Sequence, residues 1–252
     1  MNALLAFGGK HGWTKGGDGW SSSKNSIARL AGLFYLIFIL SFVLASYVRS
    51  QVIVSGDATA TAHNITTNEL LFRFGFVTEV ISALFFVLAA WALYVLLRPV
   101  NKDIALLFLL LNLGGVAVEC VNMLNLFAAL QLLNGADYLD VFPAGQLQAQ
   151  ALFYLKLYSS GIVLAQIFFA AWLLPLGYLV YKSGFLPQLL GILLIIDFFG
   201  DLTWFLQSFL LPGYGILSYP GLALSFIAEV STTIWLLVKG TEGNGQASTE
   251  GG

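Results

Sequence analysis

The sequence predicts an all-α polytopic membrane helix bundle, with six transmembrane helices and both termini in the cytoplasm. Three observations predict it. The 252 residues are 58% hydrophobic and only 10% charged, where soluble chains carry roughly 25% charge; mean hydropathy is +0.85. Six apolar segments reach the ~20 residues that a spanning helix needs. Lysine and arginine collect in every second connection between those segments, which orients the chain with its basic side in the cytoplasm.

The first segment runs from about Ser26 to Tyr47 and reads as a retained signal-anchor. Val43-Leu44-Ala45 resembles a cleavage site, but the apolar run before it exceeds most signal-peptide cores. The second segment spans Leu70–Leu97 and the third Ile104–Leu133. The fourth spans Ala149–Tyr181, the fifth Pro187–Leu211 and the sixth Pro220–Val238. Pro187 and Pro220 sit in first turns, where a missing N–H costs nothing. Pro175, inside the fourth segment, predicts a kink. Gly114, Gly115, Gly191 and Gly200 predict close helix packing ahead of hinges.

Lys10, Lys15, Lys24, Arg29, Arg98, Lys102, Lys182 and Lys239 all fall on the cytoplasmic side of this topology. The opposite connections hold only Arg49, with Asp57, Asp137 and Asp140. Residues 1–25 and 240–252 are Gly/Ser-rich and read as disordered cytoplasmic tails flanking a transmembrane domain at 26–239. The outer connection at 50–69 reads as a polar loop containing a formal glycosylation sequon, Asn64-Ile65-Thr66. A weak repeat at an offset of 81 relates Phe72 to Phe153 and Ala89-Ala90-Trp91 to Ala170-Ala171-Trp172. It suggests that spans two–three and four–five are parallel copies, against chance recurrence of common membrane residues.

Composition excludes several functions. The net charge of −2 offers no basic face to nucleic acid. The single cysteine, Cys120, permits no disulfide within the chain. Both histidines, His11 and His63, lie outside the apolar segments, so no histidine-held haem or zinc is expected at membrane depth. No cofactor is predicted, and no catalytic residue is assigned. H-E-x-x-H, G-x-S-x-G and Walker A patterns are missing. Gly200-Asp201 is half of an intramembrane aspartyl-protease motif, with Phe198 where the first glycine belongs.

The informative residues are polar ones inside the spans: Arg73, Glu79, Glu119, Asn122, Lys156, Asp197, Asp201 and Glu229. A charge at mid-bilayer costs about 2.5–3.5 kcal/mol on insertion scales, so these groups should meet one another away from lipid. Spacing agrees. Asp197, Asp201 and Trp204 share one helical face; so do Asn112, Glu119 and Asn122, then Lys156, Ser159 and Ser160, and lastly Ser225, Glu229 and Thr232. Counting residues puts Arg73 near the outer end, Glu79 and Lys156 one-third of the way in, and Glu119, Asp201 and Glu229 near the middle. Two bases against five acids leave a surplus that must be protonated, hydrated or neutralised by a bound cation. The readings are binding or transport of a small solute or cation, an inert network that fixes helix packing, or an intramembrane hydrolase that could hold a metal.

The segment Ala28-Arg29-Leu30-Ala31-Gly32-Leu33-Phe34-Tyr35-Leu36-Ile37 resembles the opening of an uncharacterised bacterial multi-pass family, the domain of unknown function four-three-eight-six. The long second helix with Arg73 and Glu79 and the short basic loop at Arg98 are similar too. The resemblance covers roughly residues 26–238. It implies a multi-pass protein of the bacterial inner membrane, with the lipid bilayer as its first partner and a small solute or cation as a candidate second. It carries no activity and no functional residue.

Overall fold

The computed structural model describes residues 17–241. Apart from two short 3₁₀ turns, at Asp137–Leu139 and Gly215–Ser218, its regular structure is α-helical: α1 Gly17–Val52, α2 Ala58–Thr67, α3 Glu69–Leu97, α4 Lys102–Asn122, α5 Leu124–Leu133, α6 Ala144–Lys182, α7 Gln188–Leu210 and α8 Tyr219–Val238. Six stretches are long and apolar enough to cross a membrane, with α4 and α5 together forming the third. Large apolar side chains point outward from every one, among them Leu40, Leu84, Leu110, Phe153, Phe199 and Ile234. Only acyl chains suit a surface of that kind.

The spans close into a ring. Helix α1 packs on α3, α3 on α4, α4 on α6, α6 on α7, α7 on α8, and α8 back on α1. The ends of the ring meet at one pole, where the Thr241 N–H donates to Asn25 Oδ1 at 3.3 Å. The basic residues gather there: Lys24 lies over the Phe185 ring at 4.9 Å, and Lys24 and Arg98 line one small crevice.

Two sequence expectations are corrected. The segment 50–69 is not a loop throughout; it contains α2, which Asp57 starts by accepting from the Ala60 N–H at 2.9 Å. Thr61 then ties α2 to the end of α1 through both the N–H and the carbonyl of Val54, and Thr61, Ala62 and Ile65 bury its inner face. Helices α1 and α6 begin earlier than their apolar runs, α1 at Gly17 inside the segment read as tail. The rest of the two predicted tails lies outside the described residues. Helix α6 carries Pro175 in its interior.

The third span breaks at Met123. Past the break the Leu126 N–H turns to the Met123 carbonyl at 3.0 Å, which strips the Asn122 carbonyl of its helical partner. Asn125 Nδ2 supplies a donor to it at 3.0 Å, so a side chain restores what the backbone lost. The repeat at offset 81 does not hold at its tryptophans: Trp172 is buried and Trp91 is exposed. Trp172 anchors an aromatic layer with Tyr35, Phe86 and Phe108, at ring-centroid distances of 6.4, 5.1 and 6.2 Å.

Candidate functional site

The polar residues of the spans form two groups with different character. The first group, towards the pole opposite Lys24 and Arg98, is paired. Glu79 on α3 is wholly buried and holds an ion pair with Arg49 in the last turn of α1. Tyr158 on α6 donates its hydroxyl to the same carboxylate. The Arg49 guanidinium also reaches Ser46 Oγ at 3.0 Å and stands over the Tyr158 ring at 5.2 Å. Asn122 Nδ2 donates to the Tyr158 carbonyl at 2.8 Å, which fastens α4 to the same point of α6.

The second group lies deeper and lacks bases. Ser225 on α8 donates to Asp197 and, at 3.0 Å, to Asp201, so one hydroxyl straddles two carboxylates of α7. Asp197 is fully buried, and its Oδ2 has no hydrogen-bond partner. Gln166 of α6 lies against Asp201. Glu229 of α8 approaches Tyr35 of α1, whose buried hydroxyl completes no hydrogen bond. Glu119 of α4 is 7% exposed, and it makes no hydrogen bond or ion pair among the described residues.

Three of these acids face a cavity of about 220 Å³, and Asp197 lies behind its wall. Every one of the six spans contributes to its wall, with Glu119, Asp201 and Glu229 as its carboxylates and Gln166 and Ser225 as its neutral polar groups. No described lysine or arginine lines it. Among the described residues no three His, Cys, Asp or Glu side chains converge closely enough to hold a metal ion.

Of the residues singled out in the sequence, Glu79, Glu119, Asn122, Asp197, Asp201 and Glu229 point into the ring. Arg73 and Lys156 do not, and the expectation that they neutralise the buried acids is corrected. Arg73 is exposed and pairs along its own helix with Glu69 at 2.6 Å. Lys156 is exposed on α6, because the inner face of that helix is the one carrying Ala151, Leu155, Tyr158 and Ala165. Its companions Ser159 and Ser160 satisfy their hydroxyls on the carbonyls of Leu155 and Lys156 and need no interior partner. Replacing Arg73 or Lys156 by Ala is therefore expected to change stability by no more than ~0.5 kcal/mol, read as an unchanged unfolding midpoint in detergent.

The base of the site is Arg49, which the sequence placed in an outer loop because the apolar run ends at Tyr47. Its one sequence signal is position: Ser46 and Arg49 continue the α1 face of Phe42 for another turn. Tyr158 and Gln166 were hidden among apolar neighbours of a type common in membrane helices.

Residues 30–240 match the family model described as Domain of unknown function (DUF4386). An uncharacterized protein of Archaeoglobus fulgidus is 32% identical over 154 residues, 61% of this chain and 76% of that protein, so the likeness reaches into the archaea. No solved structure matches the chain. A ring of six apolar helices, matched over nearly its whole length, makes this a membrane protein that belongs to the DUF4386 family of unknown function.

Proposed function

We propose that the protein binds a small cation in the carboxylate-lined cavity and carries it across the cell membrane. One observation carries this reading: Glu119, more than nine-tenths buried and without a hydrogen bond or ion pair among the described residues, shares the wall of a mid-span cavity with Asp201 and Glu229. A carboxylate buried without a partner is costly, and a ligand cation would supply the missing charge. The outer Arg49–Glu79–Tyr158 group has its charges matched and reads as packing. In this reading the membrane is the bacterial inner membrane or its equivalent, with the Lys24 and Arg98 pole in the cytoplasm.

Reconstituted liposomes with an inside-negative potassium diffusion potential test it. Uptake of sodium and of methylammonium is followed for the wild type, Glu119→Gln and Asp201→Asn. The expected result is uptake by the wild type of at least one of the two ions, reduced at least tenfold in both variants. Uptake no faster than in protein-free liposomes, or unchanged in the variants, overturns the carrier.

A further inference from the structure

Aromatic side chains are a large part of the cavity wall: Phe38 and Phe42 of α1, Phe86 of α3, Phe169 of α6, Trp204 of α7 and Phe226 of α8. Phe38 and Phe86 stack with centroids 4.0 Å apart, and Phe86 meets Phe169 at 5.2 Å, so much of this surface is fixed. Small inorganic cations demand close shells of oxygen ligands, and among the described residues the carboxylates do not converge closely enough to hold a metal ion. Aromatic faces combined with carboxylates suit a cation of diffuse charge on carbon-bearing nitrogen. A volume of about 220 Å³ falls below the ~300–1,000 Å³ of sites for drug-sized ligands, so the enclosed part is small.

The routes into the cavity are unequal. Arg49, Glu79 and Tyr158 each stand seven residues outward, on the same helix face, from the lining residues Phe42, Phe86 and Ala165. The Arg49–Glu79–Tyr158 pairing therefore lies about 10 Å along the helices from those three residues and covers the end of the cavity next to Glu119. Tyr35 and Trp172 stand seven residues inward from Phe42 and Ala165 and form a packed floor. Between α1 and α8 the seam is tight on the floor side, where a Cβ on Gly32 would come within 2.9 Å of Leu237. At the level of the cavity the same seam is lined by Val43 and Phe226, which are 53% and 61% exposed.

Resting on the cation reading above, we infer that the ligand is an organic ammonium ion with an apolar chain, which enters sideways from the acyl region between α1 and α8. Its charged head sits among Glu119, Asp201 and Glu229, and its chain leaves past Val43 and Phe226.

Binding to the full-length protein in phosphatidylcholine nanodiscs tests this. Tetramethylammonium and octyltrimethylammonium are titrated while tryptophan fluorescence is followed, with Trp204→Phe identifying the signal from the cavity and octanol as the uncharged control for chain partitioning. The expected result is saturable binding of both ions, weakened at least tenfold by Glu119→Gln and, independently, by Asp201→Asn. The octyl chain should lower Kd at least tenfold, and Val43→Trp, on the rim, should remove most of that gain. Equal affinity for the two ions, or a chain effect indifferent to Val43→Trp, overturns the sideways route and leaves the cation reading standing. If neither ammonium ion binds, the inference falls, and sodium uptake alone decides the reading beneath it.

Discussion

Arg49→Ala is expected to lower the unfolding free energy by about 3–5 kcal/mol, the usual cost of removing one partner from a buried ion pair. The arginine side chain is 13% exposed and the Glu79 side chain not at all. Losing the guanidinium leaves the carboxylate with only the Tyr158 hydroxyl, in a place water does not reach. Most of the loss should be recovered in the double variant Arg49→Ala/Glu79→Gln, because the uncompensated charge is then gone and Tyr158 keeps an oxygen to donate to. Helices α1, α3 and α6 meet at this point and are far apart in sequence, so the pair also fixes how α1 sits on the ring. Unfolding by dodecyl sulfate in mixed micelles measures all three proteins. A loss below ~1 kcal/mol in the single variant would place the pair with the weak exposed ones, such as Arg73–Glu69.

The contrast between Arg49 and Arg73 shows what the sequence made legible. Segment hydrophobicity gave the six spans, because acyl chains impose a length and polarity on each. The same cost of burying charge correctly turned Glu79, Glu119, Asp197, Asp201 and Glu229 inward. It failed for bases, whose long stems let the charge reach the interface from an outward-facing position. Lys156 is 26 residues from Lys182 at the other end of α6, about 39 Å along the axis, which exceeds a ~30 Å hydrocarbon core. Helix α6 begins at Ala144, five residues before the Ala149 expected, so it is longer than such a core requires. Arg49 was missed for the opposite reason: α1 continues past its apolar run to Val52 and turns the arginine inward onto Glu79. A cavity depends on how six faces meet, and no single stretch of sequence states that.

Gly200→Leu is expected to be the most disruptive single change near the site. Helices α7 and α8 touch backbone to backbone there: a Cβ on Gly200 would stand 2.9 Å from the Gly221 Cα, and no side chain can swing aside to make room. Even Gly200→Ala should cost about 1–3 kcal/mol, the usual range for overpacking, with the leucine at or above its upper end. Gly191 provides the control. It makes a similar backbone contact, between α7 and α6, where a Cβ would lie 2.6 Å from the Tyr181 nitrogen, so Gly191→Ala should cost as much in unfolding experiments. Gly213→Ala, with nothing within 4 Å of the added carbon, should cost nothing measurable. The two helical variants should then separate by function. Gly200 adjoins Asp201 in sequence, and Ser225 holds α8 against both Asp197 and Asp201, so forcing α7 from α8 pulls the hydroxyl off the carboxylates and opens the cavity wall. Gly191 is ten residues from Asp201, about 15 Å along the helix, and its contact is with α6. Matched for lost stability, Gly200→Ala should reduce Glu119-dependent cation uptake several-fold while Gly191→Ala leaves it near wild type. Equal uptake in the two would mean that the α7–α8 contact is packing alone and that the acids of α7 do not depend on it.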